Sequence, residues 1–166
     1  MAALSNYDLT AIRARELFHY DPWNGLRRVA TYHLNHTGDI IKGKKVKIDE
    51  ISYLTHRVIW LHYYGVWPSH YVDHANRDKY DNRICNLREA TDAENQYNKV
   101  AYGTFSKGVT FRPRKSGRSW QARIRIDGGP RILLGSFYSE AEAAEAYRQA
   151  ALKGHGEFAC FDEAPR

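Results

Sequence analysis

The sequence predicts an α+β protein built from two successive modules, and three observations carry that reading. Short alternating stretches suited to strands recur along the chain, bounded by Gly-, Pro- and Asn-containing turns. Two helix starts carry the capping-box pattern, Thr91 with Glu94 and Ser139 with Glu142. The character of the chain also changes after Ser106. From there to Arg131 eight basic residues stand against a single acid, Asp127.

The elements follow in order. Residues 7–17 read as a short helix capped by Asp8 or Thr10, with Leu9, Ile12 and Leu17 at partial helical spacing. Phe18-His19-Tyr20 begins a strand, and Asp21-Pro22-Trp23-Asn24-Gly25 is a turn. Leu26–Leu34 and Lys45–Leu54 alternate as strands. Thr55 caps a helix over His56–Tyr64, which Gly65 and Pro68 end. Tyr71–His74 is a short strand, 75–82 a polar loop, and Ile84–Arg88 a second short strand. A helix then runs from Asp92 to about Lys99, with Asn95 one turn in. Residues 100–106 read as a linker, giving domains 1–100 and 101–166. Beyond it come three strands, Val109–Phe111, Trp120–Ile126 and Ile132–Phe137, and an alanine-rich helix from Ser139 to about Leu152. Ala143, Ala146, Tyr147 and Ala150 share one face, small enough to lie close over a sheet.

Composition narrows the function. With 43% hydrophobic and 13% aromatic residues, wholesale disorder is not expected. The formal charge of +6 suits a polyanionic partner. No apolar run approaches the ~20 residues of a membrane span. Nothing resembles a signal peptide, so the expected setting is cytoplasmic, in a bacterial or phage-infected cell, and not secreted. Cys85 and Cys160 form no Cys-x-x-Cys pair and are expected to be reduced, buried thiols rather than zinc ligands.

The chemistry concentrates in Val72-Asp73-His74, followed by Asn86 and Asn95. A carboxylate and an imidazole stand side by side, with an asparagine twelve residues on and another nine after that. A divalent metal held by oxygen ligands beside one histidine base can cut a phosphodiester. His74 is the candidate base, and Asp73 and Asn95 are the candidate metal ligands. Asn86 is a candidate brace for the loop that orients His74, a role for which Asn82 competes. Oxygen ligands point to Mg²⁺ or Mn²⁺. His19, His33, His36, His62, His70 and His155 read as structural or surface residues, while His56 and Arg57 are candidate phosphate contacts. Trp23, Trp60 and Trp67 are expected in the core. In the basic stretch, Arg112, Arg114, Arg118, Trp120, Arg123, Arg125 and Arg131 are the candidate DNA contacts. Arg123 and Arg125 face outward along their strand, and Ala122, Ile124 and Ile126 face inward.

The run from His56-Arg57-Val58-Ile59-Trp60-Leu61 through Gly65-Val66-Trp67-Pro68, Val72-Asp73-His74, Asn82-Arg83, Asn86-Leu87-Arg88 and Thr91 to Glu94-Asn95 resembles the HNH nucleases of phage and intron-encoded homing endonucleases. The three namesake positions fall on His74, Asn86 and Asn95, the last an Asn in place of a His. The resemblance implies the ββα-metal layout and cleavage of double-stranded DNA to 5′-phosphate and 3′-hydroxyl ends. One site per chain cuts one strand at a time, so a double-strand break needs a homodimer or two nicks. Lys107-Gly108-Val109, Trp120–Ile124, Leu134-Gly135-Ser136-Phe137 and Glu142–Tyr147 resemble the plant ethylene-responsive-factor (APETALA-type) DNA-binding domain. That resemblance implies a three-stranded sheet in the major groove with a helix packed behind it. Leu133 or Ile132 replaces that family's second tryptophan. Two rival readings are a catalytically idle DNA-binding regulator on a nuclease scaffold and a restriction-type HNH nuclease.

Overall fold

The structure is a computed structural model that describes residues 9–29, 38–101, 103–113, 115, 117 and 119–161. It is mixed α and β, with small antiparallel sheets. The chain divides into two compact units, Met1–Glu89 and Ala90–Arg166.

In the first unit, α1 (Ala11–Leu17) begins at Thr10, whose hydroxyl accepts the Arg13 N–H at 3.2 Å. Capping of this kind satisfies one of the donors a helix start leaves open. The alternative cap, Asp8, lies outside the described residues. A hairpin follows, of β1 (Phe18–Asp21) and β2 (Gly25–Arg28). Its turn is an Asx turn: Asp21 Oδ1 accepts the backbone N–H groups of Trp23 and Asn24, both at 2.8 Å. The strand expected over Leu26–Leu34 ends at Arg28, and 30–37 lie outside the described residues.

Lys45–Leu54 is a hairpin rather than one strand. It comprises β3 (Lys45–Ile48) and β4 (Ile51–Leu54). Asp49 and Glu50 both take positive φ, 45° and 67°. A two-residue turn of that hand matches the twist of the paired strands, but the usual Asn-Gly signature is missing. Helix α2 (Thr55–Tyr64) ends on left-handed Gly65, whose N–H reaches Leu61 O. Leu54 holds its cap position, and Thr55, the expected cap, is the first helical residue. The Thr55 hydroxyl instead donates to Gly43 O at 2.7 Å, tying the helix start to the chain ahead of β3.

The core of this unit gathers Phe18, Leu26, Val46, Val58, Ile59 and Val72. Tyr53 stacks on Trp67, and the Trp67 indole donates to Leu9 O at 3.0 Å. Strand β5 (Tyr71–His74) pairs with β6 (Leu87–Ala90) in a two-stranded sheet. The second strand starts later than expected because Ile84–Asn86 form a 3₁₀ turn.

The second unit opens with α3 (Asp92–Tyr97), started by a complete Thr91–Glu94 capping box. Strands β7 (Val109–Phe111), β8 (Trp120–Arg125) and β9 (Arg131–Phe137) form an antiparallel sheet in that order. Helix α4 (Glu140–Gly154) covers one face. Ser139 Oγ caps it by accepting the Glu142 N–H, while the Glu142 carboxylate accepts from Tyr138 N rather than closing the box on Ser139. Val109, Ala122, Ile124, Ala143, Tyr147 and Ala151 form the core between sheet and helix. A Cβ on Gly108 would fall 2.2 Å from the Tyr147 ring, so only glycine allows that ring to lie there.

Candidate active site and nucleic-acid interface

Strand β5 delivers Asp73 and His74, both buried, at the edge of the first unit. His74 Nε2 lies 2.9 Å from Asn82 Oδ1. With the amide oxygen as acceptor, Nε2 donates, which makes Nδ1 the ring nitrogen able to take a proton. Asn82 is therefore the side chain that fixes the tautomer.

Asn86 acts one step further out. Its Oδ1 accepts from Asn76 N at 2.9 Å, and its Nδ2 donates to Asn76 Oδ1 and Asp81 O at 2.9 and 2.7 Å. The backbone closes the same loop, with Ala75 N–H reaching Asn86 O at 2.9 Å. Asn76 Oδ1 also accepts from Asp78 N, and Arg83 grips Asp81 through two hydrogen bonds of 2.7 Å. That guanidinium holds the Asp81 carboxyl down at about 2. Tyr20 adds a distant tie, its hydroxyl oxygen accepting the Ile84 N–H at 2.8 Å. The loop over 75–83 is thus held by its own polar side chains.

His56, at the start of α2, packs edge-to-face on His74 with ring centroids 5.1 Å apart. Burial, with smaller effects of His74 and Arg57, pushes its imidazole down to about 4, so it is neutral near pH 7. Arg57 reaches the segment that follows α2. Its guanidinium donates to His70 O and Pro68 O and lies over the Trp67 ring. It holds the segment that leads into β5.

Asp73 Oδ2 accepts from Arg88 Nε and NH2 at 3.2 and 3.1 Å, across the β5–β6 pair. Asn95 lies in the second unit, half-buried in α3, and its side-chain amide makes no hydrogen bond among the described residues. The same helix is fastened within its unit by Tyr97. That ring stacks on His155 at 3.6 Å and 6°, and its hydroxyl accepts from Gly128 N at 3.2 Å. Ala90, Tyr97 and Phe158 form a small core beside it.

Oxygen donors of this kind suit Mg²⁺ or Mn²⁺. Among the described residues, no three His, Cys, Asp or Glu side chains cluster as a metal site. In the first unit the Asp73 carboxylate is a donor of the kind Mg²⁺ takes when water and phosphate complete its shell.

In the second unit the covered and open faces of the sheet separate the candidate DNA contacts. Arg123 pairs with Leu133 across the strands, and Arg125 with Arg131. A bulge sets this phase: Ala122 pairs with Gly135 but Arg123 with Leu133, so Leu134 is passed over. Ala122 and Ile124 lie under α4, which leaves Arg123, Arg125, Arg131 and Leu133 on the opposite face. Leu133 is 51% exposed among them. Arg112, Arg123, Arg125 and Arg131 form no ion pair among the described residues. Arg112 is exposed just past β7. Trp120 sits with the covered face, against Phe105 and Phe111. Arg114 and Arg118 lie outside the described residues, as do His33 and His36.

Other expectations resolve simply. Cys160 is buried but Cys85 is exposed. Trp60 and Trp67 pack on the core, whereas Trp23 is 82% exposed. His62 is a structural residue, its Nε2 3.0 Å from Phe18 O. Sequence reasoning did not find the contact of His56 with His74, for which the only signal was a His-Arg pair ahead of the motif.

Residues 53–97 match the HNH endonuclease family. That match supports a nuclease, a hydrolase acting on DNA. A stretch of 51 residues is 53% identical to the AP2-like ethylene-responsive transcription factors AIL7, AIL6 and PLT2 of Arabidopsis thaliana. It covers 30% of this chain and 10%, 8% and 9% of those proteins. The chain thus spans about a tenth of the length of these curated relatives. No solved structure matches the chain.

Proposed function

We propose that the protein is a metal-dependent, homing-type endonuclease that hydrolyses phosphodiester bonds in double-stranded DNA and is targeted by its C-terminal sheet. The observation that carries this reading is the buried His74, held in one tautomer by Asn82 inside a stretch that matches the HNH endonucleases. Neutral His74 takes a proton from water at Nδ1 as the water attacks phosphorus. The Asn82 amide keeps Nε2 protonated and the ring oriented. Asp73 would hold Mg²⁺ or Mn²⁺. The ion, when bound, neutralises charge on the phosphate and the leaving 3′ oxygen.

Arg112, Arg123, Arg125 and Arg131 supply positive charge that no carboxylate pairs among the described residues, as a phosphate-contacting face needs. A second reading is a DNA-binding regulator that no longer cuts, favoured by the similarity to plant transcription factors. Nicking of supercoiled plasmid separates the two. The nuclease gives open-circle product that a chelator abolishes and that His74→Ala does not form. A parent protein that binds plasmid but never nicks it with Mg²⁺ or Mn²⁺ present is the regulator.

A further inference from the structure

The turn between β1 and β2 holds a large aromatic ring out in water. Asp21 Oδ1 fixes the backbone of Trp23 and Asn24, and these hydrogen bonds keep the Asp21 carboxyl below its ordinary range. Gly25, at φ +79°, closes the hairpin opposite Asp21. The backbone is therefore well determined, yet the Trp23 side chain is 82% exposed and its indole touches no partner ring among the described residues. A tryptophan carries one of the largest apolar surfaces of any side chain, and here a preorganised turn presents it at the mouth of a groove.

The ring borders a groove of about 480 Å³ between the hairpin tip and the loop that follows β5. Lys42, Tyr80, Asn82 and Arg83 line the same groove. Tyr80 is 64% exposed, with the Lys44 ammonium 5.3 Å from its ring centre. Lys42 is exposed and forms no ion pair among the described residues. Asn82 is the residue that grips His74. Asp81 lines it too and pairs with Arg83, so the groove combines aromatic faces with the ammonium of Lys42, and its wall is one side chain from the candidate base. Stacking faces beside backbone-tracking cations are how unpaired nucleotides are held.

We propose that Trp23 is a stacking platform for an unpaired nucleobase, one released from the duplex stack in the DNA strand that lies in this groove beside His74. The inference rests on the nuclease reading above and adds to it where the strand runs and what holds it. Lys42 tracks the phosphates, and the indole takes a base without regard to its identity, since every base offers a π-face. Trp23 positions the strand and takes no part in the bond cleavage itself.

The test uses the full chain, with supercoiled plasmid for nicking and a fluorescein-labelled duplex oligonucleotide carrying one unpaired base for equilibrium binding. Trp23→Ala should raise both KM and Kd about tenfold, as loss of one base–aromatic stack does. Its kcat should stay near the parent value, because Asn82 and His74 are untouched. Trp23→Phe should recover most of the loss and Trp23→Leu little of it. Parent-like KM and Kd in Trp23→Ala overturn the proposal. So does equal rescue by Leu and Phe, which marks simple apolar burial. If Trp23→Ala dissolves a dimer in sedimentation while Kd holds, the ring meets a second copy and the proposal falls. A parent chain that binds the duplex but never nicks plasmid sinks the nuclease reading alone, and the Kd series still decides on Trp23. A parent chain that binds no DNA sinks both.

Discussion

Asn82 Oδ1 meets His74 Nε2 at 2.9 Å, and both side chains are buried. A hydrogen bond in such a place defines which ring nitrogen is basic. His74→Ala should therefore lose cleavage by ~10²–10⁴ while DNA affinity stays nearly intact. Asn82→Leu should slow single-turnover cleavage by about 10-fold or more, the equivalent of ~1.4 kcal/mol of lost orientation. If Asn82→Leu cuts at the parent rate, the tautomer is set by another group and this account of the base is wrong.

The neighbouring imidazole governs acid stability. The folded chain holds His56 at about 4, below the 6.5 of an unfolded histidine, chiefly through burial. Between those values the unfolded chain binds a proton that the folded chain refuses. Stability is therefore full above about pH 6.5 and falls as the pH drops towards 4, by roughly 3 kcal/mol in all. Urea midpoints measured from pH 7 to 4 should show a shallower fall for His56→Phe than for the parent. Identical slopes would mean that His56 is already protonated in the native state.

Asn86 ties the loop at three points, to Asn76 twice and to Asp81 once. Asn86→Asp keeps an acceptor for Asn76 N–H but turns two donors into a charge facing oxygens. A cost of roughly 2–3 kcal/mol follows from buried groups left unpaired. Urea unfolding of the variant should shift accordingly, and its nicking rate should fall because Asn82 lies on the same loop. A variant with parent stability would show that the backbone alone holds 75–83.

How much of this was legible in the sequence depended on the range of the interaction. The caps at Thr10, Thr91 and Ser139 are local chemistry, and each is where the sequence puts it. The turn at Asp49-Glu50 was not legible, because neither residue advertises a positive φ as glycine would. Trp23 was misplaced into the core by its hydrophobicity, and the Asx turn of Asp21 decides otherwise. The sequence left Asn82 and Asn86 as competitors for one role, and the geometry gives them different ones. The stack of Tyr97 on His155 joins residues 58 positions apart, which no local pattern announces. Nor does any pattern mark the bulge that turns Leu133, and not Leu134, towards the arginine face.

The metal has its own test. Chelation should stop nicking, and added Mg²⁺ or Mn²⁺ should restore it in the parent. Asp73→Ala should not recover at any concentration of either ion, since it removes the carboxylate that the motif assigns to the metal. Full recovery of Asp73→Ala at high Mg²⁺ would move the ion elsewhere.

The last prediction concerns the second unit by itself. The sequence suggests cutting the chain at 101, but that would discard Ala90, Ala93 and Tyr97, which pack with Phe158, and the Tyr97 ring that covers His155. A fragment of residues 90–166 should therefore melt well above one of residues 101–166. It should bind duplex DNA without cutting it, because it lacks Asp73 and His74. Each phosphate contact adds about −0.9 to the slope of log affinity against log salt. Arg123→Ala or Arg125→Ala should then either reduce that slope by about one or relax preference at one base position. The first result marks a backbone contact and the second a base reader, and both residues lie on the face that α4 leaves open. If 90–166 shows no affinity for duplex DNA at low salt, the arginine face has another purpose and the targeting role assigned to the sheet is wrong.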